Sequence, residues 1–300
     1  MQQITVCVPA STSNLGPGFD CLGIALRIYN NVVVARGVLS RESSPRIVSQ
    51  AADRFFKQVR RCTFPFSCSI KEEIPRSRGL GSSATIRLGV LSALNWLSGN
   101  PLDRLMIFQL CAELEGHPDN AGPATFGGFT VLRGGAYALR KRKKLDFRHA
   151  FQRFDVSERL YCTLLVPDFK INTSGARRIL PSRISRAAAV ENCANACAIT
   201  AAFASGSYRN LSGAFGDYLH QPYRQKLISF LTRVITAAEK AGALGAFLSG
   251  SGSAICAVSL HSPQRVAAAM LRVAATPART IITHADNRGA RLIPSPITNH

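Results

Sequence analysis

The chain has 300 residues, 46% of them hydrophobic, with 37 lysines and arginines against 17 acids and a formal net charge of +20. Length and apolar content suit one large domain or two ordinary ones with a sizeable core. No run of about 18 uninterrupted apolar residues occurs, which excludes a membrane-spanning helix at the level of sequence.

Residues 4–8 and 28–34 alternate or run apolar with β-branched side chains and predict strands. Helical spacing follows at 52–59 and at 83–97, where Leu88, Leu91, Ala93, Leu94 and Leu97 form a stripe that Gly99-Asn100-Pro101 ends. A helix over 102–114, strands over 126–132 and 160–166, long helices over 184–203 and 225–241, and a strand over 254–259 complete the reading. Strands and helices mingle without a regular βαβ count, which predicts two α+β domains. The tract Arg140-Lys141-Arg142-Lys143-Lys144 is the best boundary, dividing 1–150 from 151–300. It reads as a solvated hairpin tip or domain connection rather than a dedicated nucleic-acid patch. Elsewhere the positive charge is spread along the chain. It favours anionic partners in general and selects none.

The start, MQQITVCVPAST, has neither a basic n-region nor an apolar h-region and does not read as a secretory signal. Nine scattered cysteines, without a CxxC pair, read as buried small hydrophobes in a reducing cytosol. Cys193 and Cys197 are one helical turn apart, but no histidine is near; core packing accounts for the pair better than metal.

The segment PRSRGLGSSATIRLG, 75–89, is a glycine-serine turn flanked by arginines and running into an apolar helix. An ordinary capped loop and an anion site both explain it. Gly79-x-Gly81-x-x-Ala84 matches the dinucleotide pattern, but Pro75, Arg76 and Arg78 make a poor central strand before it. A Walker loop needs Gly-Lys, which is absent from the chain, and protein-kinase signatures are missing. What remains is a phosphate cradle, with glycines for close backbone approach and N–H groups at a helix start.

Three other segments strengthen that reading. VPASTSNLGPGFDCLGIAL, 8–26, places Asn14 and Asp20 on either side of a rigid bend. ELEGHPDNAGPATFGGF, 113–129, gathers Glu115, His117, Asp119 and Asn120 directly after a helix. GAFLSGSGSAICAV, 245–258, is a second glycine-serine turn, ahead of a strand.

Together these segments resemble the GHMP family of small-molecule kinases, whose three motifs appear in order over nearly the whole chain. Motif two says only GHMP kinase. The stretches 14–20 and 117–120, with INTSGARRILP at 171–181, are similar to the family branch that acts on L-homoserine. The resemblance implies an α+β, two-domain GHMP kinase fold: an N-terminal ATP-binding domain, a ferredoxin-like C-terminal domain, and the active site between them. It implies transfer of the γ-phosphate of ATP to L-homoserine with Mg2+, in threonine biosynthesis, by a cytoplasmic homodimer without membrane or nucleic-acid partners.

Residue by residue, the resemblance assigns ATP to Pro75, Arg76, Ser77, Arg78, Gly79, Leu80, Gly81, Ser82, Ser83, Ala84 and Thr85, with Ser83 and Glu115 on magnesium. Asn14, Asp20, His117 and Asn120 would line the acceptor pocket, with Thr173, Arg177 and Arg224 contacting the amino acid. Asp20, Ser83 and Glu115 would be catalytic, Asp20 as partner of the attacking hydroxyl. Three features depart from the family pattern: the serines of Ser249–Ser253, the arginines at 76 and 78, and the basic excess. Two alternatives stay open: a GHMP kinase of mevalonate or shikimate type, and a nucleic-acid binder on a kinase scaffold.

Overall fold

The computed structural model describes residues 2–37, 45–133 and 151–293. Strand β1 (Gln3–Ser13) and strand β2 (Leu22–Arg36) form a long antiparallel pair whose register shifts between Pro9 and Ala10. Proline gives the ladder no N–H, and such a shift is how a strand changes the face its side chains present. Before the shift, Ile4, Val6 and Val8 pack with Val32 and Val34 under three helices; after it, Ala10 packs with Ile24 and Leu26 on the opposite side. The helices are α1 (Arg46–Val59), α2 (Ser82–Leu97) and α3 (Arg104–Glu115). The sheet is completed by β3 (Phe66–Glu72) on β2, by β4 (Phe129–Leu132) and β5 (Phe151–Phe154), and by β10 (Arg291–Ile293) on β1.

The second sheet has the antiparallel order β7 (Gly245–Leu248), β8 (Ile255–Ser259), β6 (Tyr161–Pro167), β9 (Ala278–Thr283), the strand order of a ferredoxin-like unit. Its side chains alternate as a sheet covered on both faces requires. Leu165, Ile255 and Ala257 face outward. There they meet two helices, 231–240 and 263–272. Cys162, Leu164, Val166, Cys256 and Val258 face inward, in one core with Ile24, Leu26 and Phe129 of the first sheet. The two sheets thus share a core, and the loops at its edge converge.

The helix between β3 and α3 and the paired first strands match the sequence reading. Several elements differ. Residues 126–132 begin as the end of α4 (Ala121–Phe126), and the positive φ of Gly127 and Gly128 delays the strand to 129. The helix expected over 225–241 is broken into a 3-10 turn, Gln225–Leu227, and a helix, Leu231–Lys240. Ile228, Phe230 and Leu231 are all buried, a spacing that one regular helix does not turn to one side. The long helix is Arg186–Ser205, and Cys193 and Cys197 lie on its exposed side rather than in the core.

The basic tract 140–144 and the division at 150 lie outside the described residues. Residues on the far side of that division, in β5 and β10, belong to the first sheet. Among the described residues no helix is long and apolar enough to cross a membrane.

Candidate active site

The glycine-serine turn is clamped where the sheets meet. Ser11 N donates to Leu80 O (3.2 Å), Ser249 Oγ to Gly79 O (2.7 Å) and Ala254 N to Arg78 O (3.0 Å). Gly79 and Gly81 have φ of 75° and 72°, and a Cβ at Gly79 would stand 2.0 Å from Ser249 O. Only glycine fits that backbone and that approach. Gly81 caps α2 without a side-chain bond, so the first N–H groups of a 16-residue helix remain open to an anion.

Ser83 lies in that first turn and donates its hydroxyl to Glu115 Oε1 (2.7 Å) at the end of α3. Arg87, one turn further along α2, donates Nη1 to Ser83 Oγ (3.0 Å) and forms an ion pair with Glu115 Oε1. Two oxygen donors of the hard type that magnesium prefers therefore converge beside the helix N-terminus.

Across from them stands a set of buried charges. His117 Nδ1 and Asp119 Oδ1 are 2.5 Å apart, and both side chains are nearly buried. Burial opposes a charged His117 ring, but the Asp119 carboxylate outweighs it and the pKa rises above the ordinary histidine value. Burial likewise opposes the Asp119 carboxylate, yet His117 and neighbouring hydrogen bonds hold its pKa down at about 2. Asp20 accepts from both Arg177 nitrogens, at 3.0 and 2.5 Å, a bidentate pair. Asn14 (φ 73°) receives Asp20 N on Oδ1 (3.1 Å) and donates Nδ2 to Gly250 O (3.0 Å). Asn120 Oδ1 accepts from Ser11 Oγ (2.9 Å), and its Nδ2 donates to Ser13 Oγ (3.1 Å). Thr173 Oγ1 lies 3.2 Å from Ser251 Oγ.

Arg224 is 1% exposed. Its Nη1 donates to Gly250 O (2.8 Å) and its Nε to Ala176 O (3.2 Å), while the Phe19 ring lies 5.3 Å from the guanidinium carbon. Among the described residues no carboxylate lies within ion-pair distance of it. Burial, then Arg177, push its pKa down to about 10. A buried cation that lacks an anion is costly, and it stands ready for an anionic ligand.

These groups surround a cleft of about 340 Å³ that both sheets help to wall. Models of the GHMP kinases N terminal domain and GHMP kinases C terminal match residues 46–128 and 199–276, together more than half of the chain. The chain belongs to the GHMP kinase family. It is 38% identical to homoserine kinase from Synechococcus sp. over 280 residues, 89% of this chain and 88% of that one. It is 38% identical to homoserine kinase from Caldicellulosiruptor bescii, covering 85% of this chain and 84% of that one. The crystal structure of homoserine kinase from Cytophaga hutchinsonii superposes with a TM-score of 0.85 at 25% identity, covering 98% of each chain.

In this GHMP kinase the cleft wall includes Asn14, Arg76, Ser77, Gly79, Leu80, Gly81, Ser82, Ser83, Glu115, His117, Asn120, Thr173, Arg177 and Arg224, all expected from sequence. Other expected residues are placed elsewhere. Arg78 turns away, donating Nε to Pro167 O (2.8 Å) and Nη2 to Asp168 Oδ1 (3.2 Å), so it ties the loop to the second sheet. Ala84 is core, and Thr85 spends its hydroxyl on Ser82 O and Asn30. Pro75 and Asp20 are not among the residues that line the wall; Asp20 is ion-paired with Arg177, which is. Of the wall residues, Arg76 stays at the rim, paired with Glu72 and 66% exposed. Sequence reading noted Asp119 but assigned it no role, and it overlooked Arg87. The i, i+4 spacing of Ser83 and Arg87 was the available signal.

Proposed function

We propose that the cleft transfers the γ-phosphate of ATP to the hydroxyl of L-homoserine, giving O-phospho-L-homoserine and ADP, a step in threonine biosynthesis. The observation that carries this is Arg224, a buried guanidinium on the cleft wall without a carboxylate partner among the described residues. An amino-acid carboxylate supplies the missing anion in the geometry that a planar fork accepts. The similarity to the homoserine kinases named above supports the same acceptor. Solved mevalonate kinases share the fold at 14% identity, which does not extend to their substrate.

The chemistry asked of the chain is positioning and charge neutralisation. The open N–H groups of α2 and the loop 76–83 receive the nucleotide phosphates. Ser83 Oγ and Glu115 would hold magnesium, which when bound neutralises phosphate charge. The acceptor oxygen bonds to the γ-phosphorus as the bond to the β-phosphate oxygen breaks and ADP leaves, and the hydroxyl proton passes to an oxygen of the transferred phosphate. Asp20 keeps Arg177 directed at the acceptor, and Asn14, His117, Asn120 and Thr173 shape the pocket around it. Both oxygens of Asp20 accept from Arg177, which fits Asp20 for positioning that guanidinium. A cytoplasmic homodimer completes the proposal. Sedimentation of the pure protein checks the dimer.

A coupled ADP-release assay across L-homoserine, mevalonate and shikimate, with and without magnesium, tests the reading. Magnesium-dependent release with homoserine alone is expected. Turnover of mevalonate with none of homoserine overturns it.

A further inference from the structure

The pair assigned to magnesium already has a cation on it, supplied by the chain itself. Arg87 Nη1 donates to Ser83 Oγ (3.0 Å) and is ion-paired with Glu115 Oε1, the oxygen that also accepts the Ser83 hydroxyl. All three groups therefore close on one another. The Arg87 and Glu115 side chains are only 16% and 9% exposed, so solvent screens their attraction weakly. Glu115 ends α3, where the helix dipole disfavours an anion, which makes a counter-cation more necessary there. The guanidinium is also incompletely satisfied: its Nε is buried and without a hydrogen-bond partner. A cation held through one nitrogen, with another donor wasted, is easier to move than one satisfied throughout.

A metal ion that takes Ser83 Oγ and Glu115 Oε1 needs the lone pairs that Arg87 uses, and two cations on one carboxylate oxygen repel each other. We propose that Arg87 is a competing counter-cation at the Ser83–Glu115 pair, a positioning residue that sets how tightly this kinase takes its divalent metal. Rotation of Arg87 off Glu115 accompanies metal entry, so metal affinity carries the cost of breaking that ion pair. The Ser83 hydroxyl, which donates to Glu115 Oε1 (2.7 Å), must turn its proton away as well. The inference rests on the reading of Ser83 and Glu115 as the metal-holding pair.

The test is direct binding of Mn2+, followed by electron paramagnetic resonance, to the full-length protein with a non-hydrolysable ATP analogue present. Wild type is compared with Arg87→Gln, Arg87→Lys and Glu115→Gln, each checked for folding by circular dichroism. Glu115→Gln should lose most Mn2+ binding, whereas Arg87→Gln should bind Mn2+ about tenfold more tightly than wild type and Arg87→Lys should fall between. A merely structural Arg87 would give the opposite sign. Loss of binding in Glu115→Gln with unchanged or weaker binding in Arg87→Gln overturns the inference and leaves the metal pair standing. Unchanged binding in Glu115→Gln overturns the metal pair itself, and the inference with it. Should Arg87→Gln fail to fold, Arg87→Lys and the wild-type Arg87 Nε resonance decide. That resonance must shift as the diamagnetic Mg2+ is added, and a resonance that stays fixed overturns the competition.

Discussion

The two halves of the cleft are made of different material. The half proposed for the phosphates is backbone: Gly79 and Gly81 at positive φ, and the open N–H groups of one helix. The half proposed for the acceptor is buried side-chain charge: Asp119 against His117, Asp20 against Arg177, and Arg224 without an anion of its own among the described residues. Backbone dipoles suit a ligand that every kinase shares, and they are fixed by local sequence. Buried charges discriminate among acceptors, because a mismatched ligand leaves one of them unpaired.

The largest effect should come from the acceptor half. Arg224→Met should cut kcat/KM for L-homoserine by about a thousandfold, since an unpaired buried charge costs about 3–5 kcal/mol. ATP-analogue affinity should change little. Equal losses for both ligands would erase the division between the halves.

Ser83→Ala comes next, lowering kcat about a hundredfold, the scale for removing one group that faces developing charge. The melting curve should stay near wild type, because Ser83 is not part of the apolar core. Near-normal turnover returns Ser83 to an ordinary place in the helix.

Gly79→Ala probes the backbone directly. Strain at φ 75° and a Cβ 2.0 Å from Ser249 O should lower stability by about 2–4 kcal/mol. Thermal unfolding with full stability would contradict the close approach of loop and second sheet.

The His117–Asp119 pair predicts a smaller, pH-dependent effect. The His117 pKa is raised in the folded chain, so its stabilisation is full below the ordinary value of 6.5 and is lost as pH rises through the folded value. Asp119 works in the other direction: its stabilisation is present above the ordinary 3.8 and is lost as pH falls through about 2. Denaturant titrations of wild type and His117→Gln should therefore differ fully up to about pH 6.5 and converge only as pH rises through the raised folded value. A gap that widens with rising pH would contradict the paired, protonated ring.

The smallest effect belongs to Arg76→Ala. An exposed pair such as Arg76–Glu72 is worth about half a kcal/mol, and stability should move no further than that.

The same contrast explains what could be read from sequence. Glycines 79 and 81, Ser83 and the helix behind them are legible because the rule that selects them is local: φ sign, cap and helix start. The acceptor residues needed the family resemblance, since Asn14, His117, Thr173 and Arg224 come from separate stretches that meet only when both sheets share a core. The resemblance gave ATP to Arg76 and Arg78 alike. Arg78 carries the same charge as Arg76, yet it is drawn to Pro167 O and Asp168 by a strand end that no local pattern announces. The exposed Cys193 and Cys197 show the same limit, for apolar composition does not say which side of a helix a partner covers. Arg87 escaped because an arginine one turn into a helix looks like a solvated side chain until Glu115 arrives from α3.

The central claim is that this kinase selects an amino-acid alcohol through its carboxylate. The most direct measurement follows 31P NMR of the product formed from ATP with L-homoserine, and separately with 3-aminopropan-1-ol, the same alcohol without the carboxylate. O-phospho-L-homoserine should accumulate from the first, and the second should react at least a hundredfold more slowly. Comparable phosphorylation of both alcohols, or of neither while mevalonate is phosphorylated, would contradict the account.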